Sequence, residues 1–149
     1  MSPTQTASTE EILGNVRIFR GLDRKYLTQI AKSAHARTYT PGEVIVSEGE
    51  DGVGLYAISS GEVEIYQTRD GGERHLRTMR PGEVFGQLAL LTDHPRTASV
   101  RAVSNSESLV FTAWSFRAML AESPEIATHL LGTMAQWLVE AEDRAAALR

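Results

Sequence analysis

Phe85-Gly86-Gln87-Leu88-Ala89-Leu90-Leu91-Thr92-Asp93-His94-Pro95-Arg96-Thr97-Ala98-Ser99-Val100 is the stretch around which this chain is organised. Gly86 permits backbone geometry that a side chain would forbid. Gln87 to Leu91 is long enough for one helical turn, whose first N–H groups lack an intrahelical partner. Those N–H groups and the positive end of the helix dipole point the same way, so a helix start of this kind receives an anion. Pro95 stiffens the approach to Arg96, whose planar fork suits two oxygens of one phosphate. Thr97 adds a hydroxyl, and Ala98 a side chain too small to block the space. Together they describe a pocket for one phosphate carried on a partly apolar molecule.

Outward from this stretch, the hydrophobic period is about two from 37 to 113. It predicts short strands at 44–46, 55–58, 63–66, 75–79 and 100–103, separated by glycine turns. Gly-Glu-Val recurs at Gly42, Gly61 and Gly82, 19 and then 21 residues apart, and each copy opens a strand. A turn reused at near-regular intervals suits two antiparallel layers wound as a roll. A solenoid would need the period to continue, and it stops. Gly49-Glu50-Asp51-Gly52-Val53-Gly54 has neither the order of a dinucleotide loop nor the ligand spacing of a calcium loop, and is read as a hairpin turn. Arg69, Arg74, Arg77 and Arg80 are interleaved with Asp70 and Glu73 across Gly71-Gly72, which reads as a solvated hairpin tip.

The two ends are helical. Ser8 and Glu11 form a capping box for a helix burying Ile12, Leu13 and Val16. Phe19, Leu22 and a helix after Asp23 continue the apolar pattern. Towards the other end, Ser115 is read as the cap of a short helix carrying Phe116, Met119 and Leu120, and Ser123-Pro124 as the start of the last one. That last helix carries a 4–3 spaced seam, Ala127, Leu131, Met134, Leu138, Ala141, Ala145 and Leu148, suited to pairing with a second copy of itself.

The stretch from Phe85 to Leu91 followed by Pro95 to Val100 resembles the phosphate-binding cassette of the cyclic nucleotide-binding domain family. Phe19-Arg20-Gly21-Leu22-Asp23 resembles that family's N-terminal helical entry, and the resemblance extends over roughly residues 19–139. It implies that Arg96 and the Thr97 hydroxyl grip a cyclic phosphate, together with the backbone amide of Ala89, in a site that also takes in Gly86, Gln87, Leu88 and Ala98. It implies further that Ile65, Leu76 and Val84 line the base side with Arg77 beside them. The resemblance also implies that the last helix is a lid, with Glu142 near the position that touches the base amino group in bacterial members. The chain departs from the family at Gln87, where a Glu normally accepts the ribose 2′-hydroxyl.

Composition limits the alternatives. With 149 residues, 42% hydrophobic and 23% charged, the chain suits one domain with its own core. The expected divisions are N-terminal helices at 1–36, a β-roll at 37–113 carrying the cassette at 85–100, and C-terminal helices at 114–149. A formal charge of −4 gives no basic footprint for nucleic acid. There is no cysteine, so disulfides, thiolate metal sites and a Cys nucleophile are excluded. No secretion signal and no membrane-length apolar run is present, and the expected location is cytoplasmic. His35, His75, His94 and His129 lie in four separate elements without metal-ligand spacing. No nucleophile elbow or carboxylate pair suggests an enzyme.

The fold expected is α+β, a β-roll (double-stranded β-helix or jelly-roll-like) of about eight strands between helices. The function expected is a non-enzymatic sensor that binds cAMP or cGMP, with no cofactor or metal. It would relay occupancy through the last helix to a downstream protein, and pair as a homodimer through that helix. The chain ends without a helix-turn-helix, so the expectation is a sensor without a DNA-binding domain. The alternatives are a ligand-free scaffold marked by Gln87, and a sensor for another small anion.

Overall fold

Three copies of one tight turn set the shape of the molecule. Thr40-Pro41-Gly42-Glu43, Ser47-Glu48-Gly49-Glu50 and Arg80-Pro81-Gly82-Glu83 each place glycine third, at φ +88°, +86° and +95°. In each, the first carbonyl accepts from the fourth N–H, at 3.1, 3.2 and 3.1 Å. The glutamate carboxylate then folds back to accept the first residue's N–H, at 3.1, 3.2 and 2.9 Å. Glycine at the third place with positive φ, preceded by proline in two copies, is what a type II turn requires. Two of the three Gly-Glu-Val copies, at Gly42 and Gly82, are thus this self-capping corner. The third corner is at Gly49, and the copy at Gly61 is a different turn, in which Glu62 N donates to the Ser104 hydroxyl at 3.1 Å.

The computed structural model describes residues 8–52, 54–86, 92 and 95–148. Helix α1 (Thr9–Gly14) starts in the expected capping box, with the Ser8 hydroxyl accepting from Glu11 N and the Glu11 carboxylate accepting from Ser8 N. A 3-10 turn (Arg17–Phe19) and α2 (Arg24–Ala31) follow. Eight strands are seen among the described residues: β1 (His35–Tyr39), β2 (Val44–Val46), β3 (Gly54–Ser60), β4 (Val63–Arg69), β5 (Gly72–Met79), β6 (Val84–Phe85), β7 (Ser99–Ala102) and β8 (Ser106–Thr112). They form two antiparallel sheets in the orders β1-β8-β3-β6 and β2-β7-β4-β5, the expected roll. Helices α3 (Ala113–Glu122) and α4 (Pro124–Ala147) close the fold.

The first sheet separates two cores. Leu55, Ala57, Val84, Leu109 and Phe111 face the helices, where Phe19, Phe111 and Phe116 lie with ring centroids 5.8–6.0 Å apart. Tyr56, Ile58 and Phe85 face the other sheet, among Val46, Val63, Met79 and Val100. Strand alternation produces this division, because neighbouring residues must point to opposite faces.

The second sheet's outer face carries an ionic ladder. Arg101 lies 4.2 Å over the Tyr66 ring and reaches Glu64 at 2.5 Å and Glu73 at 2.6 Å, while His75 Nδ1 lies 2.8 Å from Glu64. The His75 and Arg101 contacts hold the Glu64 carboxyl below its ordinary pKa, and Arg101 does the same for Glu73. The ladder's contribution is therefore present above the unfolded carboxylate pKa and fades as pH falls through the lowered folded values.

Four expectations need correction. Gly49 to Gly54 joins β2 to β3, which lie in different sheets, so it is a crossing turn and not a hairpin. Ser115 lies inside α3, whose N-cap is Thr112. Ser123 is the N-cap of α4 but makes no side-chain capping bond. Its hydroxyl instead donates to Gln29 Oε1 at 3.1 Å. The seam on α4 is divided, because Met134 packs on the helix-side core with Ile126 and Leu130, while Leu131 and Leu138 are exposed.

Candidate anion site

Gly86 and Gly54 meet back to back at the mouth of the roll. Gly86 sits at φ +89°, and a Cβ there would lie 2.4 Å from the Gly54 carbonyl oxygen and 2.6 Å from Arg96 Nη1. Both distances are far inside van der Waals contact, so the backbone fills the space a side chain would take. The segment entering from Pro95 is tied to the middle Gly-Glu turn. Gly49 N donates to the Arg96 carbonyl at 2.9 Å, and Arg96 N donates to the Glu50 carbonyl at 2.8 Å.

This fixes the root of Arg96, whose side chain is half-buried. Arg96 Nη2 donates to the Gly54 carbonyl at 3.3 Å, and the guanidinium lies 5.6 Å from the centroid of the Tyr56 ring. Tyr56 is in turn stacked on Phe85, with centroids 4.7 Å apart and planes 5° from parallel. Burial holds the Arg96 pKa below its ordinary value, partly countered by Tyr56 and Glu50. Among the described residues no carboxylate forms an ion pair with it. A partly buried cation whose donors meet only a backbone carbonyl among the described residues is chemically suited to receive an anion.

The other expected site residues divide. Thr97 is exposed, and its carbonyl accepts from Gln67 Nε2 at 2.9 Å, which ties the segment to β4. Ala98 is half-buried beside it. Ile65 packs against the core between the sheets, directly opposite Arg77 in the β4–β5 ladder. Leu76 falls at the register shift between the Ile65–Arg77 and Tyr66–His75 pairs, and is 40% exposed. Arg77 pairs with the Glu83 carboxylate. Val84 is turned to the helix side, so it does not share the inward face of Phe85. Gln87, Leu88, Ala89 and His94 lie outside the described residues. Glu142 is exposed on α4.

Gly54, Tyr56 and Gln67 were not foreseen as part of the site. Tyr56 had a signal, since period two through 55–58 sets it on the face opposite Leu55 and Ala57. Gly54 and Gln67 act through a backbone carbonyl and an amide, and no local pattern marks them.

Helix α4 lies against the N-terminal turn. Arg17 reaches Glu140 at 2.6 Å and lies 5.2 Å from the Trp137 ring centroid. Between this helix and β5–β6 runs a groove of about 550 Å³, lined by Arg77, Met79 and Glu83 on one side and Trp137, Glu140 and Arg144 on the other. No helix among the described residues is long and apolar enough to cross a membrane.

Comparison with known proteins agrees with this geometry. The family described as "Cyclic nucleotide-binding domain" matches residues 36–123. A CRP-like cAMP-activated global transcriptional regulator of Mycobacterium tuberculosis is 32% identical over 130 residues, 87% of this chain and 58% of the relative. The chain thus spans little more than half of that regulator's length. The N-terminal domain of a transcriptional regulator from Streptomyces coelicolor superposes with a TM-score of 0.79 at 29% identity, covering 90% of this chain and 94% of that one. The regulatory domain of Toxoplasma gondii PKA, solved with cAMP, gives a TM-score of 0.70 at 32% identity, covering 80% and 46%.

Proposed function

This chain belongs to the cyclic nucleotide-binding domain family, and from that premise we propose that it is a non-enzymatic sensor module for a 3′,5′-cyclic nucleotide, cAMP or cGMP. The observation that supports this most is Arg96, a partly buried guanidinium fixed at its root, with donors open and no ion-paired carboxylate among the described residues. Thr97, the Ala89 amide, Gly86, Gln87 and Leu88 complete the phosphate side, and Ala98 leaves it room. Ile65 and Leu76 flank the base, with Arg77 at the groove beneath α4. Residues 1–149 act as one unit, in the cytoplasm, with α4 passing occupancy to a downstream protein.

Signalling requires only that the ligand favour one position of α4 over another. A ligand that binds the folded state alone raises the melting temperature once its concentration exceeds the dissociation constant. A saturable rise is expected with cAMP or cGMP, and little with 5′-AMP, whose open phosphate carries an extra charge. No shift with either cyclic nucleotide at millimolar concentration rejects the reading.

One observation favours a second reading, a scaffold that has lost its ligand: Gln87 stands where the family places its ribose-binding Glu. A neutral acceptor in place of a charged one costs only ~1 kcal/mol, or roughly five- to tenfold in affinity. In the same assay Gln87→Glu is therefore expected to tighten binding by about that factor. A marked loss would show a pocket built around the amide and a different ligand.

We place a homodimer on the outer face of α4, where Leu131 and Leu138 are 65% and 61% exposed. Leu131→Glu with Leu138→Glu removes no buried contact of the protomer, and is expected to convert a dimer to a monomer in sedimentation velocity. A wild-type chain that sediments as a monomer at high concentration rejects the dimer and leaves the sensor untouched.

A further inference from the structure

We infer that Tyr56 is the positioning residue for Arg96, holding its guanidinium in the pocket mouth before any ligand arrives. The proposal deepens the sensor reading and rests on Arg96 as its anion receptor. A flexible, partly buried cation ordinarily extends to water or takes a carboxylate partner. Arg96 does neither among the described residues. It lies over the Tyr56 ring and donates to the Gly54 carbonyl, two neutral groups on one strand. The electron-rich face of an aromatic ring attracts a guanidinium without using its N–H donors. Tyr56 is itself held from two directions, by the parallel stack on Phe85 and by strand pairing to Phe85 and Val110.

The molecule contains its own contrast. Arg101 also lies over a tyrosine, Tyr66, but its donors are engaged by Glu64 and Glu73. The same arginine–aromatic pair is thus closed by carboxylates on the outer face and left open at the pocket. A phosphate reaching Arg96 displaces no carboxylate of the described residues, and it meets a side chain whose rotamers are already restricted. Pre-organisation of this kind lowers the ordering cost of binding.

The first test needs no ligand. A guanidinium over a ring face has its proton resonances moved upfield by the ring current. The Arg96 signal, assigned by its loss in Arg96→Lys, is expected upfield in the wild type and in Tyr56→Phe, and at its ordinary position in Tyr56→Met. The second test is calorimetry with cAMP and cGMP. Tyr56→Met, which fills the space without an aromatic face, is expected to weaken binding about tenfold, and Tyr56→Phe by no more than about twofold. In an Arg96→Lys background Tyr56→Met should have little further effect, because the two residues act as one unit. An ordinary Arg96 resonance in the wild type, or the same loss from Tyr56→Met in both backgrounds, overturns the proposal. Failure of the wild type to bind either nucleotide, with the upfield signal present, rejects the sensor reading and leaves the positioning role standing.

Discussion

Arg96→Lys is expected to weaken cyclic nucleotide binding about fiftyfold while the fold survives. The guanidinium can give a phosphate two parallel charge-assisted bonds, and an ammonium keeps the charge but not the fork. A hydrogen bond to a charged group contributes ~1.5–3 kcal/mol, and each 1.4 kcal/mol is tenfold in affinity. Stability should change far less, because among the described residues the side chain makes one hydrogen bond, the long one to the Gly54 carbonyl, at 3.3 Å. Titration calorimetry on the two proteins measures the first effect, and thermal unfolding the second. Equal affinities would place the anion elsewhere.

Gly86→Ala is expected to damage stability and affinity together. The added methyl would lie 2.4 Å from the Gly54 carbonyl oxygen, which is backbone in a paired strand and cannot swing aside. It also meets the end of Arg96, so relief in that direction displaces the anion receptor. Left-handed strain of ~1–2 kcal/mol adds to the clash, and a total of about 3 kcal/mol lowers the melting temperature by roughly 10 °C. Gly42→Ala is the control. Gly42 has a similar φ of +88° with nothing within 4 Å, so it suffers the backbone strain alone. If the two variants unfold at the same temperature, Gly86 is only a turn glycine and the close approach has no energetic weight.

The features legible in the sequence were those whose physics is local. The capping box at Ser8 and Glu11 needs two side chains three residues apart, and both bonds form. The Gly-Glu-Val copies marked strand starts because glycine at positive φ and the residue after it are set by one turn. Registers and faces were not local. The shift between Ile65 and Tyr66, which leaves Leu76 unopposed, depends on how β5 aligns with β4. Val84 is placed on the base side by the family resemblance alone, because a two-residue strand carries no alternation to say which face each residue takes. Only the layer of helices over the first sheet decides which of Val84 and Phe85 points inward. Likewise the α4 seam had correct spacing, but Met134 is drawn into its own core by Trp137 and the N-terminal elements.

That two-residue strand has a mechanical consequence. Phe85 touches Tyr56 between the sheets, and Val84, one peptide away, is packed among the phenylalanines on the helix side. β6 pairs with β3 at Tyr56–Phe85 and Ala57–Val84, and the turn before it is bonded to Ile58 through Gly82 and Glu83. A tilt of this segment that moved Phe85 between the sheets would move Val84 on the helix side with it. Close packing on both sides leaves little slack to absorb the motion. In the proposed sensor, occupancy of the pocket would thus be felt across the wall of the roll in a single residue step, without breaking a strand or remaking the fold.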